Sequence, residues 1–299
     1  MNLYTQAEAN TRKTWLYLTG FLVLVIGVGW IFSYVLGSPV ILWIAVFVSV
    51  FMSWTSYWYS DKIILAISKA KPLEKRDNPE LYRIIENLCI TAGLLVPKIF
   101  VIQDAQPNAF ATGRDAAHSV VAVTTGLLSK LERTELEGVL AHELSHIGNK
   151  DMLISAIVVV LVGLVALLAD FFFRITFWGG MGGRSDRRGG HPIFLLLALA
   201  AAIVAPLAAQ LVRLAISRKR ELLADATGAL LTRYPEGLAR ALEKIAADPS
   251  PMRSANDATA HLYVASPFRG KEQTSWLHKL FMTHPPLQER VAALRGLHI

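Results

Sequence analysis

Ala141-His142-Glu143-Leu144-Ser145-His146 is the stretch whose reading decides the fold, and it lies inside the longer segment Thr134 to Gly148. The segment reads as a helix. Thr134 and Glu137 have the spacing of a capping box, and Gly148 suits a left-handed helix end. Two histidines four apart then share one face, close enough to hold one metal ion between their imidazoles. Glu143 follows the first histidine directly, where it can serve as a general base toward water. An ordinary amphipathic helix with solvent-facing histidines has the same pattern by chance, so the rest of the chain must decide.

Composition points to a membrane. Of 299 residues 53% are hydrophobic, and the mean hydropathy is +0.41, too apolar for an ordinary soluble enzyme. The net charge of +7 could suit nucleic acid, but no recognition motif or basic helix supports that partner. Basic flanks of membrane spans account for it better. Cys89 is the single cysteine, which excludes an intrachain disulfide; its apolar helical context suggests a buried thiol.

Apolar runs from about Trp15 to Leu36 and from Val40 to about Tyr59 are each long enough to span a bilayer. Trp15, Tyr17, Trp54, Tyr57, Trp58 and Tyr59 gather near the outer ends of this hairpin, as an interfacial belt does. Arg12 and Lys13 precede it; Lys62, Lys69, Lys71, Lys75 and Arg76 follow it. Both ends are therefore expected in the cytoplasm.

Four regions follow. Residues 1–60 form the first hairpin, and 61–150 the first part of a catalytic domain. Within it a helix should run from Asn78-Pro79-Glu80 to Ala92, with strands at Lys98–Gln103, Asn108–Gly113 and Ser119–Thr124, the last two joined by an Arg114-Asp115 turn. Residues 151–215 hold two more apolar runs around a Gly/Arg-rich loop and make a second hairpin, spanning or re-entrant. Residues 216–299 return to helical patterning and complete the domain.

A catalytic zinc usually has three protein ligands, so the two histidines need a partner. Glu221, in Ser217-Arg218-Lys219-Arg220-Glu221-Leu222-Leu223-Ala224-Asp225, is the best candidate. Asp225 lies four residues on, on the same face, where it can orient His142 or His146 through the free ring nitrogen. A solvated Arg/Glu helix surface would look similar. Sharing a metal also requires an even number of membrane crossings between His146 and Glu221, and the sequence offers two apolar runs there. Helical rise then puts both ligands within roughly 9 to 15 Å of a span end, near the cytoplasmic interface.

With these residues assembled, the chain resembles the HtpX-type membrane zinc metalloproteases, relatives of the CAAX prenyl proteases. The resemblance rests on the early hydrophobic pair, Asn108-Ala109-Phe110-Ala111-Thr112-Gly113, His142-Glu143-Leu144-Ser145-His146, a second hydrophobic pair, Glu221-Leu222-Leu223-Ala224-Asp225 and His284-Pro285, in that order. It implies an α+β, multi-pass α-helical membrane protein of the cell (inner) membrane with a cytoplasmic zincin-like domain, its third ligand a glutamate. It implies one Zn2+ per chain, held by His142, His146 and Glu221, with Glu143 catalytic. It further implies endoproteolysis of membrane or misfolded polypeptides in quality control and stress response.

The resemblance also gives Asn108, Ala109, Phe110, Ala111 and Thr112 the role of a substrate-pairing edge strand. His284 resembles a residue that stabilises the oxyanion, though it could equally be a helix-entry residue. Asn108 is either a substrate contact or a turn residue, and Arg290 either pairs with Asp225 or is a surface arginine. Three rivals remain: a CAAX-type processing enzyme, a scaffold with a degenerate site, and a zinc-binding transporter. Four apolar runs, an intact Glu143 and spans nearly free of ionisable residues weigh against them in turn.

Overall fold

The computed structural model describes residues 3–160, 218–253, 259–267 and 285–297. The second pair of apolar runs beyond residue 160, the Gly/Arg-rich loop and His284 lie outside them.

Helices α1 (Leu3–Leu36) and α2 (Pro39–Ile67) form the first hairpin around Gly37 and Ser38. Thr11–Ile31 and Pro39–Ile67 are long and apolar enough to cross a membrane. Their outward side chains, among them Trp30, Trp43, Phe47 and Phe51, are exposed over a larger apolar face than soluble proteins carry. Helix α2 runs past Tyr59, where the apolar run was expected to end, and its Ile64 is buried against the sheet that follows.

The domain itself begins with strand β1 (Lys71–Pro72), too short to signal in sequence, and helix α3 (Pro79–Ala92). Asn78 caps α3 by accepting from Leu81 N–H at 3.0 Å, and Gly93 ends it in the left-handed region at φ 66°. Strands β2 (Lys98–Ile102), β3 (Ala109–Gly113) and β4 (Ser119–Thr124) complete a sheet of order β1-β2-β4-β3. Strand β3 pairs antiparallel with β4 and is the terminal strand of the ladder. The expected Arg114-Asp115 turn continues into a 3-10 turn, Ala116–His118, capped by Asp115.

Period-two alternation divides the sheet between two layers. Ala109, Ala111, Val121 and Val123 face a core built with α3 and the helices that follow. Phe110, Ala122 and Ile102 face the other way, against Ile64 of α2. The same second layer takes Ala156 and Val159 from the apolar helix Asp151–Val160, so the sheet rests directly on the apolar helices. Arg114 lies over the Trp58 ring at 4.3 Å and ties the β3–β4 turn to α2.

Helix α4 (Thr125–Lys130) leads into α5 (Arg133–Gly148), the histidine-bearing helix. Its capping box is Glu132 and Glu135, not Thr134 and Glu137. Glu132 is still extended, so the helix starts two residues earlier than a Thr134 cap would give, and Glu135 accepts from Glu132 N–H at 2.8 Å while pairing with Lys244 at 2.8 Å. The left-handed residue at its end is Lys150, φ 55°, and not Gly148, which stays helical. Asp151–Val160 follows at once as α6.

Helices α7 (Arg218–Thr232) and α8 (Pro235–Ala247) pack on α5, and α9 (Leu287–Arg295) packs on α8. Both contacts with α5 depend on glycine. A Cβ at Gly228 would lie 2.9 Å from His142 N, and one at Gly138 would lie 2.6 Å from Leu238 N.

Candidate metal centre

Helix α5 presents His142 and His146 on the face that α7 approaches, and the Gly228 contact sets that approach beside His142 itself. The third carboxylate arrives from α7. One ligand atom each from His142, His146 and Glu221 lies within 4.8 Å of the others. The two Nε2 atoms are 3.2 Å apart. Glu221 oxygens lie 3.9 Å from His142 Nε2 and 3.7 Å from His146 Nε2.

The donor chemistry fits a cation. His142 Nδ1 lies 2.8 Å from Asp225 Oδ1, and His146 Nδ1 lies 3.2 Å from Asp151 Oδ2. A ring nitrogen facing a carboxylate carries the proton, which leaves both Nε2 lone pairs aimed at one space. Two lone pairs at that separation repel unless a proton or a metal ion stands between them. Nitrogens bound tetrahedrally to one zinc at about 2.05 Å sit roughly 3.3 Å apart, close to the spacing found.

Electrostatics of the four groups follow from their burial. Burial drives His142 toward its neutral form in spite of Asp225. For His146 burial has the same sense, but Asp151 and Glu221 outweigh it and raise its pKa to about 9. Metal and proton therefore compete for His146. Burial pushes the Glu143 carboxyl up to about 7, and His146 only partly opposes this. Asp225 is held at about 2 despite burial, by Arg290 and then His142.

Arg290 is buried and not a surface residue. It donates to both Asp225 oxygens, through Nε at 2.8 Å and Nη2 at 2.6 Å. It thus closes a chain Arg290–Asp225–His142 that fixes the first histidine. The matching residue for His146, Asp151, is one that sequence reasoning missed. Its signal was its place five residues after His146, at the first turn of an apolar helix, where a buried acid needs a reason.

Asn108 is fully buried, and its side chain is engaged by its own chain: Nδ2 donates to Ala265 O at 3.0 Å. That bond uses one of the two amide hydrogens. Ala109 to Thr112 lie in β3, and Ala111 gives a backbone hydrogen bond to the Glu143 carboxylate. The strand expected for pairing thus runs beside the expected base. His284 lies outside the described residues.

Comparison with known proteins bears on this arrangement. The model of peptidase family M48 matches residues 75–298. A protease HtpX homolog from Thermoanaerobacter pseudethanolicus is 44% identical over 301 residues, covering 99% of this chain and 98% of the relative. One from Pyrococcus furiosus is 45% identical over 283 residues, covering 94% and 92%. Among solved structures, S. mikatae Ste24p shares the fold at TM-score 0.51 and 23% identity, covering 98% of this chain and 66% of the other. Full-length identity of this order, together with a His-Glu-x-x-His helix facing a glutamate from a second helix, leaves one assignment: the chain belongs to peptidase family M48, as a membrane-bound metalloprotease.

Proposed function

We propose that the protein is a zinc-dependent endopeptidase of the cell membrane whose site faces the cytoplasm and acts on membrane or misfolded polypeptides in protein quality control. The observation that carries this reading is the convergence of His142, His146 and Glu221, with both Nδ1 atoms occupied by carboxylates.

Zinc bound there would supply Lewis acidity, which makes water a competent nucleophile near neutral pH. Glu143 takes the proton as water attacks the scissile carbonyl, then delivers it to the leaving amine. Its burial, at 2% exposure, suits this double use by placing the carboxyl near the middle of its titration. A divalent cation alongside favours the ionised, proton-accepting form. His284 is assigned to the developing oxyanion, by resemblance alone. Substrate lies along the outward edge of β3 at Ala111, the residue joined to Glu143.

Residues 61–150 and 216–299 make one catalytic unit, with the 151–215 hairpin between its halves. The cytoplasmic orientation is supported by the basic flanks Arg12, Lys13, Lys62 and Lys69. Proximity to the bilayer is supported by the rest of the sheet on α2 and α6. In detergent, purified protein given zinc should cleave casein, and the Glu143→Gln variant should bind zinc yet cleave at least about 100-fold more slowly. Full activity in that variant would overturn the reading.

A further inference from the structure

The outward edge of β3 is partly filled by the chain's own backbone. Thr124 N–H donates to Asn108 O at 3.0 Å, so by alternation Phe110 and Thr112 also turn their backbone groups to β4. Ala109, Ala111 and Gly113 turn theirs outward. At Ala109 the position is taken, because Val264 N–H donates to its carbonyl at 3.0 Å. Asn108 holds Ala265 from both sides, donating to its O at 3.0 Å and accepting from its N at 3.4 Å. Arg290 Nη1 donates to Val264 O at 2.9 Å.

Side chains anchor the same segment. Tyr263 is fully buried and meets Phe110 edge-on, with ring centres 5.3 Å apart at 88°. Val264 enters the opposite core with Ala109 and Leu144. This alternation is that of a strand. Residue 264 sits by 109 and 265 by 108, so it runs antiparallel to β3. Before Tyr263 the chain has already left the edge, as the 3-10 turn Ala260–Leu262.

We propose that residues 263–265 are a fixed stop that ends the substrate lane at Ala109, so that recognition falls on the N-terminal side of the cleaved bond. The inference rests on the reading of β3 as the substrate edge. A polypeptide in the same lane and sense lays its N-terminal part beside Gly113 and reaches the base at Ala111. Beyond that point only two residues of strand, about 7 Å, separate it from the stop. The segment is a wall and not a flap. Its release would bare Tyr263 and leave the Asn108 amide and Arg290 without their carbonyl partners.

The test is a set of peptides around a casein cleavage site, extended one residue at a time on either side and assayed with zinc-loaded full-length protein in detergent. On the N-terminal side kcat/KM should rise roughly two- to tenfold per backbone hydrogen bond gained. On the C-terminal side it should be flat beyond about two residues. Equal dependence on both sides, or dependence on the C-terminal side alone, overturns the stop. The Val264→Pro variant, which lacks the N–H donor, should extend the C-terminal dependence. A uniform rise for every peptide with an unchanged length profile would mean a removable plug, and also overturns it. If no peptide is hydrolysed by wild type, the peptidase reading itself fails, a result distinct from any of these; should Val264→Pro not fold, the wild-type series decides alone.

Discussion

Asp151 and Asp225 stand in equivalent places, each holding the Nδ1 of one histidine and leaving its Nε2 for the metal. Asp151→Asn can still accept a hydrogen bond but loses the charge that strengthens it. The variant should weaken zinc roughly 10- to 100-fold, read by chelator competition, while Asp151→Glu recovers part of the loss. Unchanged zinc affinity in Asp151→Asn would remove it from the site. The Asp225–Arg290 pair makes a second expectation. Asp225 is depressed in the folded state to about 2, so its stabilisation is complete above the unfolded value near 3.9 and lost as pH falls through about 2. Roughly 2 kcal/mol of stability should disappear across that window, a drop in thermal midpoint that Asp225→Asn should show in smaller measure.

Helices α5 and α7 meet through Gly228, whose missing side chain lets the α7 backbone approach His142 N. Gly228→Ala should push α7 outward, carry Glu221 away and weaken zinc at least tenfold, about 1.4 kcal/mol, before it unfolds the domain. Wild-type affinity in that variant would show that the helices do not need the close approach. Much at this scale was legible in the sequence, for physical reasons. Helix α3 announced itself through Asn78, Pro79 and an apolar face, and β4 through its β-branched run. The metal ligands were legible because a four-residue spacing fixes a shared helix face. What could not be read was tertiary. Strand β1 is only Lys71–Pro72, the Glu132–Glu135 cap depends partly on Lys244, and Arg290 is buried where α9 packs on α7 and α8. The 263–265 segment is too short for any periodicity to signal, and its contacts with Ala109 of β3 and with Arg290 are tertiary.

The whole molecule places its chemistry beside its apolar helices. One face of the sheet rests on α2 and α6, and the other carries α3 and α5 with the metal ligands. Arg114 on Trp58 joins the Gly113 end of β3 to the aromatic end of α2. Every step of this arrangement depends on Glu221 returning from α7 to the histidines of α5. The most direct measurement is the zinc content of purified protein, wild type against Glu221→Ala and Glu143→Gln, by elemental analysis after dialysis. One zinc per chain in wild type and in Glu143→Gln, with zinc lost from Glu221→Ala, is the expected result. Full zinc retention by Glu221→Ala would contradict a site shared between the two helices.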